Sequence, residues 1–164
     1  VRDDHEFGSA KEAANDPRIL VFGRLLGAAN GLEYLLGKAL ENETGLTHSL
    51  FELLLVVGRA GEGGISTKGI AQAKVLTSGG ATRLVHRGVE LGLVSRRAST
   101  EDRRVQIVEL TPEGERLAVE ASTIHARNIE QLVLAILPAN DLGAFEESVK
   151  VLSKHAASQL PVMP

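Results

Sequence analysis

The chain contains no cysteine among its 164 residues. Disulfide frameworks, thiolate metal sites and thiol redox sensing are therefore excluded. Tryptophan is absent too, and aromatic residues make up only 3%, so Leu, Val, Ile and Ala must build any core. No apolar run reaches the roughly 18 residues of a membrane-spanning helix, and no membrane partner is expected. The opening stretch VRDDHEFGSAKEAANDP is polar and acidic, unlike a signal peptide. The expected location is the cytoplasm.

Hydrophobic residues reach 43%, which argues against wholesale disorder. The length suits one domain, or one compact unit with an appended helical part. Net charge is only −3, but the charges are unevenly placed. Residues 65–110 hold eight bases (Lys68, Lys74, Arg83, Arg87, Arg96, Arg97, Arg103, Arg104) and four acids (Glu90, Glu101, Asp102, Glu109), a net of +4. The remainder carries ten bases and seventeen acids, a net of −7. A basic module inside an acidic carrier directs phosphate to one place on the molecule.

Residues 1–15 read as a flexible tail. Asp16-Pro17 then reads as an N-cap with proline at the first helical position. Ile19, Leu20, Phe22, Leu25, Leu26, Leu32, Leu35, Leu36 and Leu40 follow at helical spacing, and the helix ends near Gly45. Gly23, Gly27, Gly31 and Gly37 interrupt it, which predicts close packing against another helix. Thr47 caps a second helix, Ser66 a short one over Thr67 to Ala73, and Thr77 or Ser78 a fourth that ends before Gly92. Ile65 reads as a strand of one or two residues. Beyond Gly92 the period becomes alternating: Leu93 to Arg97 and Val105 to Leu110 read as antiparallel strands around a polar turn. Thr111-Pro112-Glu113 starts a long helix that runs to about Leu137, and Asp141 opens the last one. The predicted class is mainly α (α+β). Residues 16–46 form an N-terminal helix, 47–110 a winged helix-turn-helix, and 111–164 C-terminal helices that complete a second helical layer.

The fourth helix carries the readable chemistry. Ala81, Leu84, Val85, Gly88 and Leu91 form an inward arc. Gly79, Thr82, Arg83 and His86 form the opposite one, flanked by Ser78 and Arg87. Short residues at the helix start permit close approach, and donors beyond them suit a major groove. Arg83 fits a guanine edge; Thr82 and Ser78 fit phosphate or base. A solvated polar face explains this arc equally well. The following hairpin favours DNA, because its turn places Arg103 and Arg104 beside Asp102. An extended Arg fits a narrow, electronegative minor groove, and a neighbouring carboxylate can hold its guanidinium.

The run LTSGGATRLVHRGVELGLVSRRASTEDRRVQIVELTPEGERL resembles the core of the multiple-antibiotic-resistance regulator (MarR) family. The resemblance rests on Thr82 to Val85, Gly92-Leu93-Val94, Arg96-Arg97, Asp102-Arg103-Arg104 and Leu110 to Gly114. It covers about a quarter of the chain closely, and the helix order extends it over nearly all. It implies a homodimer whose N-terminal and last two helices interlock, making the outer helices a dimerisation layer. It implies that Arg104 enters the minor groove, oriented by Asp102. It further implies an effector pocket between the dimer helices and the winged domain, often for aromatic acids. By position and chemistry Arg24, Tyr34, His48 and His125 are the candidates. Gly88 departs from the Leu usual there, a change expected to loosen the fourth helix.

The resulting expectation is a ligand-responsive repressor that binds pseudo-palindromic double-stranded DNA as a homodimer. Lys68, Thr77, Ser78, Gly79, Thr82, Arg83, His86, Arg87, Arg96, Asp102, Arg103 and Arg104 are its DNA-binding residues. No enzyme, cofactor or metal site is expected. Gly63 to Gly69 superficially resembles a phosphate loop, but Lys68 precedes Gly69 where the motif needs Gly-Lys-Ser/Thr. No nucleophile motif surrounds any serine. His48 and Glu52, i,i+4 on one helix, make at most half a metal site. The alternatives are a winged-helix module for protein interaction and a small-molecule-binding protein without DNA binding.

Overall fold

The computed structural model describes residues 6–159. Its elements are α1 (Ala10–Ala14), α2 (Pro17–Thr44), α3 (His48–Ala60), β1 (Ile65–Ser66), α4 (Thr67–Ala73), α5 (Ser78–Glu90), β2 (Val94–Ala98), β3 (Gln106–Leu110), α6 (Pro112–Ile129) and α7 (Leu142–Gln159). The mainly helical class with one small antiparallel sheet is the one expected. The strands run in the order β1-β3-β2. Val94 opposes Leu110 and Ala98 opposes Gln106, while Ile65 and Ser66 add the third strand opposite Val108 and Ile107.

Capping side chains set the helix starts. Thr47, Ser66, Thr77 and Thr111 each accept a hydrogen bond from the backbone N–H three residues on, which satisfies a donor that the first turn leaves open. Asp16 accepts from the N–H of Arg18 at 2.9 Å. The Arg18 guanidinium bonds the same carboxylate and holds its pKa down to about 2.

The chain divides into two units, the boundary falling within α2 between Leu35 and Leu36. In the first unit, the predicted tail is helical from Ala10 to Ala14. Ser9 accepts from the Glu12 N–H and Glu12 accepts from the Gly8 N–H, a reciprocal pair that nucleates one turn. Residues 1–5 of that predicted tail lie outside the described residues. Along α2 the residues Ile19, Val21, Phe22, Leu25, Leu26, Tyr34 and Leu35 are exposed. A Cβ at Gly23, Gly27 or Gly31 would meet nothing within 4 Å. Among the described residues nothing packs at these three glycines, whereas at Gly37, the fourth, a Cβ would meet His48 Cβ at 3.4 Å. By length and composition α2 is also long and apolar enough to cross a membrane. A count of unbroken apolar residues misses this, because Arg24 and Glu33 interrupt a helix that is apolar on average.

The core lies in the second unit. Leu40, Phe51, Leu53, Leu54, Val57, Ile70, Val85, Val94 and Val108 are its most completely buried large side chains. Helix α3 is central and packs against α4, α5, α6 and β3. Helix α6 becomes π-helical at Glu130–Leu134, short of the expected Leu137. There Ala135 N–H reaches the Glu130 carbonyl, five residues back, at 2.8 Å. The widened turn precedes Pro138, which cannot continue the ladder.

Candidate nucleic-acid interface

Helix α5 is held on three sides. Thr77 caps its start with a 3.1 Å bond from Gly80 N–H. Its end is a Schellman turn: Leu93 N–H bonds the Gly88 carbonyl and Gly92 N–H bonds the Val89 carbonyl, with Gly92 at φ 70°. Its inner arc of Ala81, Val85 and Gly88 is buried, with Leu84 half-buried. Leu91, expected inward, is 43% exposed because the chain is already turning away there.

Gly88 overturns an expectation. A Cβ there would sit 2.9 Å from Val94 Cγ2 and 3.1 Å from Leu53 Cδ2. The glycine tightens the seat of α5 against α3 and β2 rather than loosening it, because close approach replaces the missing side chain.

The outer arc presents Ser78, Gly79, Thr82, Arg83, His86 and Arg87 to solvent. A Cβ at Gly79 would meet nothing within 4 Å, so folding does not require glycine there. The Thr82 hydroxyl donates to the Ser78 carbonyl at 2.8 Å, which leaves its oxygen as an acceptor. Glu90 lies 3.5 Å from His86 Nδ1 and 3.4 Å from Arg87. Arg83 carries no ion pair among the described residues. Lys68, on α4, is exposed as well.

The β2–β3 hairpin follows directly. Thr111 joins its base to the turn that follows α5: its hydroxyl donates to the Gly92 carbonyl at 2.6 Å, and its N–H donates to the Leu93 carbonyl at 3.1 Å. Gly114 is forced by the same approach, since a Cβ would come within 1.9 Å of the Leu93 carbonyl oxygen. Close helix-to-strand packing thus explains the Leu110-Thr111-Pro112-Glu113-Gly114 segment.

At the turn, Asp102 works differently from expectation. Its carboxylate accepts the backbone N–H of Arg104 at 2.9 Å rather than pairing with a guanidinium. Its carbonyl accepts Val105 N–H at 2.9 Å, and Ser99 N–H closes onto the Val105 carbonyl at 2.8 Å. An Asp side chain that mimics a backbone turn holds the tip in shape. Arg96, Arg103 and Arg104 are exposed, with no ion pair among the described residues. Arg97, in contrast, is engaged by Glu109 through two bonds of 3.0 and 2.8 Å.

The four effector-pocket candidates divide. His48 and His125 are neighbours, with ring centroids 5.7 Å apart. His125 also meets Phe51 edge-on at 5.0 Å. His125 Nδ1 is buried with no hydrogen-bond partner among the described residues, and burial, then the nearby His48, pulls its pKa below the usual histidine value. Arg24 and Tyr34 lie on the first unit's part of α2, where both are exposed. Sequence reading missed Lys74, which pairs with Glu52 and so links the α4–α5 turn to α3. No group of three or more His, Cys, Asp or Glu residues among the described residues forms a metal site.

A model of the MarR family matches residues 44–105, from the end of α2 to the tip of the hairpin. The uncharacterized HTH-type transcriptional regulator YdgJ of Bacillus subtilis (strain 168) is 31% identical over 111 residues, 68% of this chain and 66% of the relative's length. The chain thus spans about two thirds of that relative. Among solved structures, a MarR family transcriptional regulator from Streptomyces coelicolor, in complex with DNA, superposes with a TM-score of 0.77 at 22% identity, covering 93% of this chain and 92% of that one. CouR from Rhodococcus jostii RHA1, bound to p-coumaroyl-CoA, superposes with a TM-score of 0.68 at 23% identity, covering 80% and 90%. Through that family match, the Thr82 to Gly114 motif pieces and the shared winged helix-turn-helix fold, the chain belongs to the MarR family.

Proposed function

We propose that the protein is a sequence-specific DNA-binding transcriptional regulator, a cytoplasmic homodimer that acts as a ligand-responsive repressor. The observation that carries the reading is the juxtaposition of α5 and the wing. A capped helix exposes Arg83 and Thr82 behind an unobstructed Gly79, and the hairpin after it ends in exposed Arg103 and Arg104. Helix α5 would enter a major groove and the wing an adjacent minor groove. Two copies would place their α5 helices in successive grooves, about 34 Å apart, on a pseudo-palindrome.

The homodimer is supported by the uncovered apolar residues of α2 and, separately, by Phe145, Val149, Val151 and Leu152 on α7. Faces of this kind are interaction surfaces in soluble proteins. Arg24 and Glu33 make a second protein copy a better occupant of the α2 face than lipid, where charge is costly. The effector would be a small acid, aromatic as the family resemblance implies, near His48 and His125. CouR, with a similar fold, binds p-coumaroyl-CoA, the CoA thioester of an aromatic acid, which supports an aromatic acyl group as part of the ligand. Its effect would be a population shift, favouring a spacing of the winged domains that fits DNA poorly.

Selection of bound sequences from random duplex DNA tests the reading, with Arg83→Ala as control. An inverted repeat recovered by the wild-type chain and lost by the variant is the expected result. Recovery of nothing at low salt by folded protein would favour a protein-binding or ligand-binding winged domain. Arg104→Ala should weaken binding with little effect on folding and lower the salt slope by about 1. An unchanged affinity would remove the wing from the interface.

A further inference from the structure

Arg97 is the one arginine of the hairpin that does not face solvent freely among the described residues. It sits on β2 opposite Ile107, while its partner Glu109 sits opposite Ser95, so the pair crosses the ladder diagonally. Two parallel bonds of 3.0 and 2.8 Å form the contact. The same guanidinium reaches the Gly63 carbonyl at 3.5 Å. One side chain thus touches β2, β3 and the loop that precedes β1. That loop lies hard against β3: a Cβ at Gly64 would fall 2.6 Å from Ile107 Cγ2 and 2.7 Å from both Glu109 Cγ and the Val108 carbonyl oxygen.

Beyond this point the hairpin is a two-stranded ribbon with an exposed tip, a form with wide freedom to twist. A planar guanidinium held by two bonds resists that twist better than a point charge does. We propose that Arg97 and Glu109 form a clamp that sets the angle of the wing against the helix-turn-helix, making Arg97 a positioning residue rather than a DNA contact. The proposal rests on the DNA-binding reading above for its consequence, but the clamp itself can be measured without DNA.

The electrostatics give a sharp discriminant. Removing a carboxylate beside DNA ordinarily tightens binding, because a repulsive charge is lost. If Arg97 were a phosphate contact restrained by Glu109, Glu109→Gln would tighten binding or leave it unchanged. As a clamp, Glu109→Gln weakens binding despite the lost negative charge, by roughly five-fold, the scale of a modest hydrogen-bonding contribution.

The experiment uses the full chain and the variants Glu109→Gln, Arg97→Ala and Arg97→Lys. Hydrogen exchange of the free proteins reads the wing directly. Duplex affinity and hydroxyl-radical footprints on the selected site read its consequence. Expected are faster exchange confined to residues 94–110, weaker binding, and loss of flanking minor-groove protection while major-groove contacts persist. Arg97→Lys should rescue only partly. Wing exchange unchanged in all three variants overturns the clamp, whether or not the wild-type chain binds DNA. Faster exchange with an unchanged footprint overturns its positioning role. Faster wing exchange in the variants, together with a wild-type chain that binds no duplex, would sink the DNA reading and leave the clamp standing.

Discussion

Val75 adopts φ 53° in the turn between α4 and α5. A β-branched residue in the left-handed region is strained by about 1–2 kcal/mol. The turn tolerates it because Leu76 N–H bonds the Ala71 carbonyl at 2.9 Å and the neighbouring Lys74 is paired with Glu52. Val75→Gly relieves the strain but adds chain entropy to the unfolded state. It should stabilise the fold by about 0.5 kcal/mol net. A urea midpoint that falls would show that the valine side chain, half-exposed though it is, packs better than this balance allows.

His125 makes a pH prediction at the same scale. Its pKa lies below 6.5 in the folded protein, chiefly through burial. Above pH 6.5 the ring is neutral in both states and its packing contribution is intact. As pH falls below 6.5 the unfolded chain takes up the proton first, so stability is lost as pH drops through the folded value. His125→Phe keeps the edge-on contact with Phe51 and should flatten this part of the stability–pH curve. An unaltered acid slope in the variant would assign the loss to other groups.

Helix α5 shows how one element serves packing on one face and recognition on the other, and its two kinds of glycine separate the roles. Gly88 faces inward, where even a Cβ crowds Val94 and Leu53. Gly88→Leu, the residue usual in the family resemblance, should therefore destabilise by about 2 kcal/mol through overpacking. A thermal midpoint equal to wild type would mean that α5 shifts to accommodate it. Gly79 faces outward into open space. Gly79→Ala should leave folding intact or slightly improved, because alanine is the better helix former, yet weaken duplex binding by keeping the helix start away from the backbone. Equal affinity for the two proteins would place the DNA elsewhere on the helix.

For the whole molecule, charge and apolar surface point to different partners. The +4 segment holds the candidate DNA surface, whereas the exposed apolar residues of α2 and α7 are the surface the proposed homodimer would cover. The chain should therefore elute near twice its 17.4 kDa mass. A monomer at micromolar concentration would reject the dimer. Recovery in the membrane fraction would instead favour the spanning capacity of α2.

The helix starts were legible in the sequence because a cap and the N–H it satisfies lie within three residues, as at Thr47, Ser66, Thr77 and Thr111. The inward and outward arcs of α5 follow from period alone, and so does the change to alternation after Gly92. Local sequence thus determined the main elements and their order, though not the short α1 or the π-helical turn after α6, and which cations stand at the helix and the wing. Tertiary structure decided what those residues touch. Gly88 becomes a close contact only when Val94 and Leu53 arrive. Arg97 finds Glu109 twelve residues away, and His125 meets Phe51 and His48 from another helix. Such pairings depend on how far each element travels before it packs, and no short window of sequence records that distance.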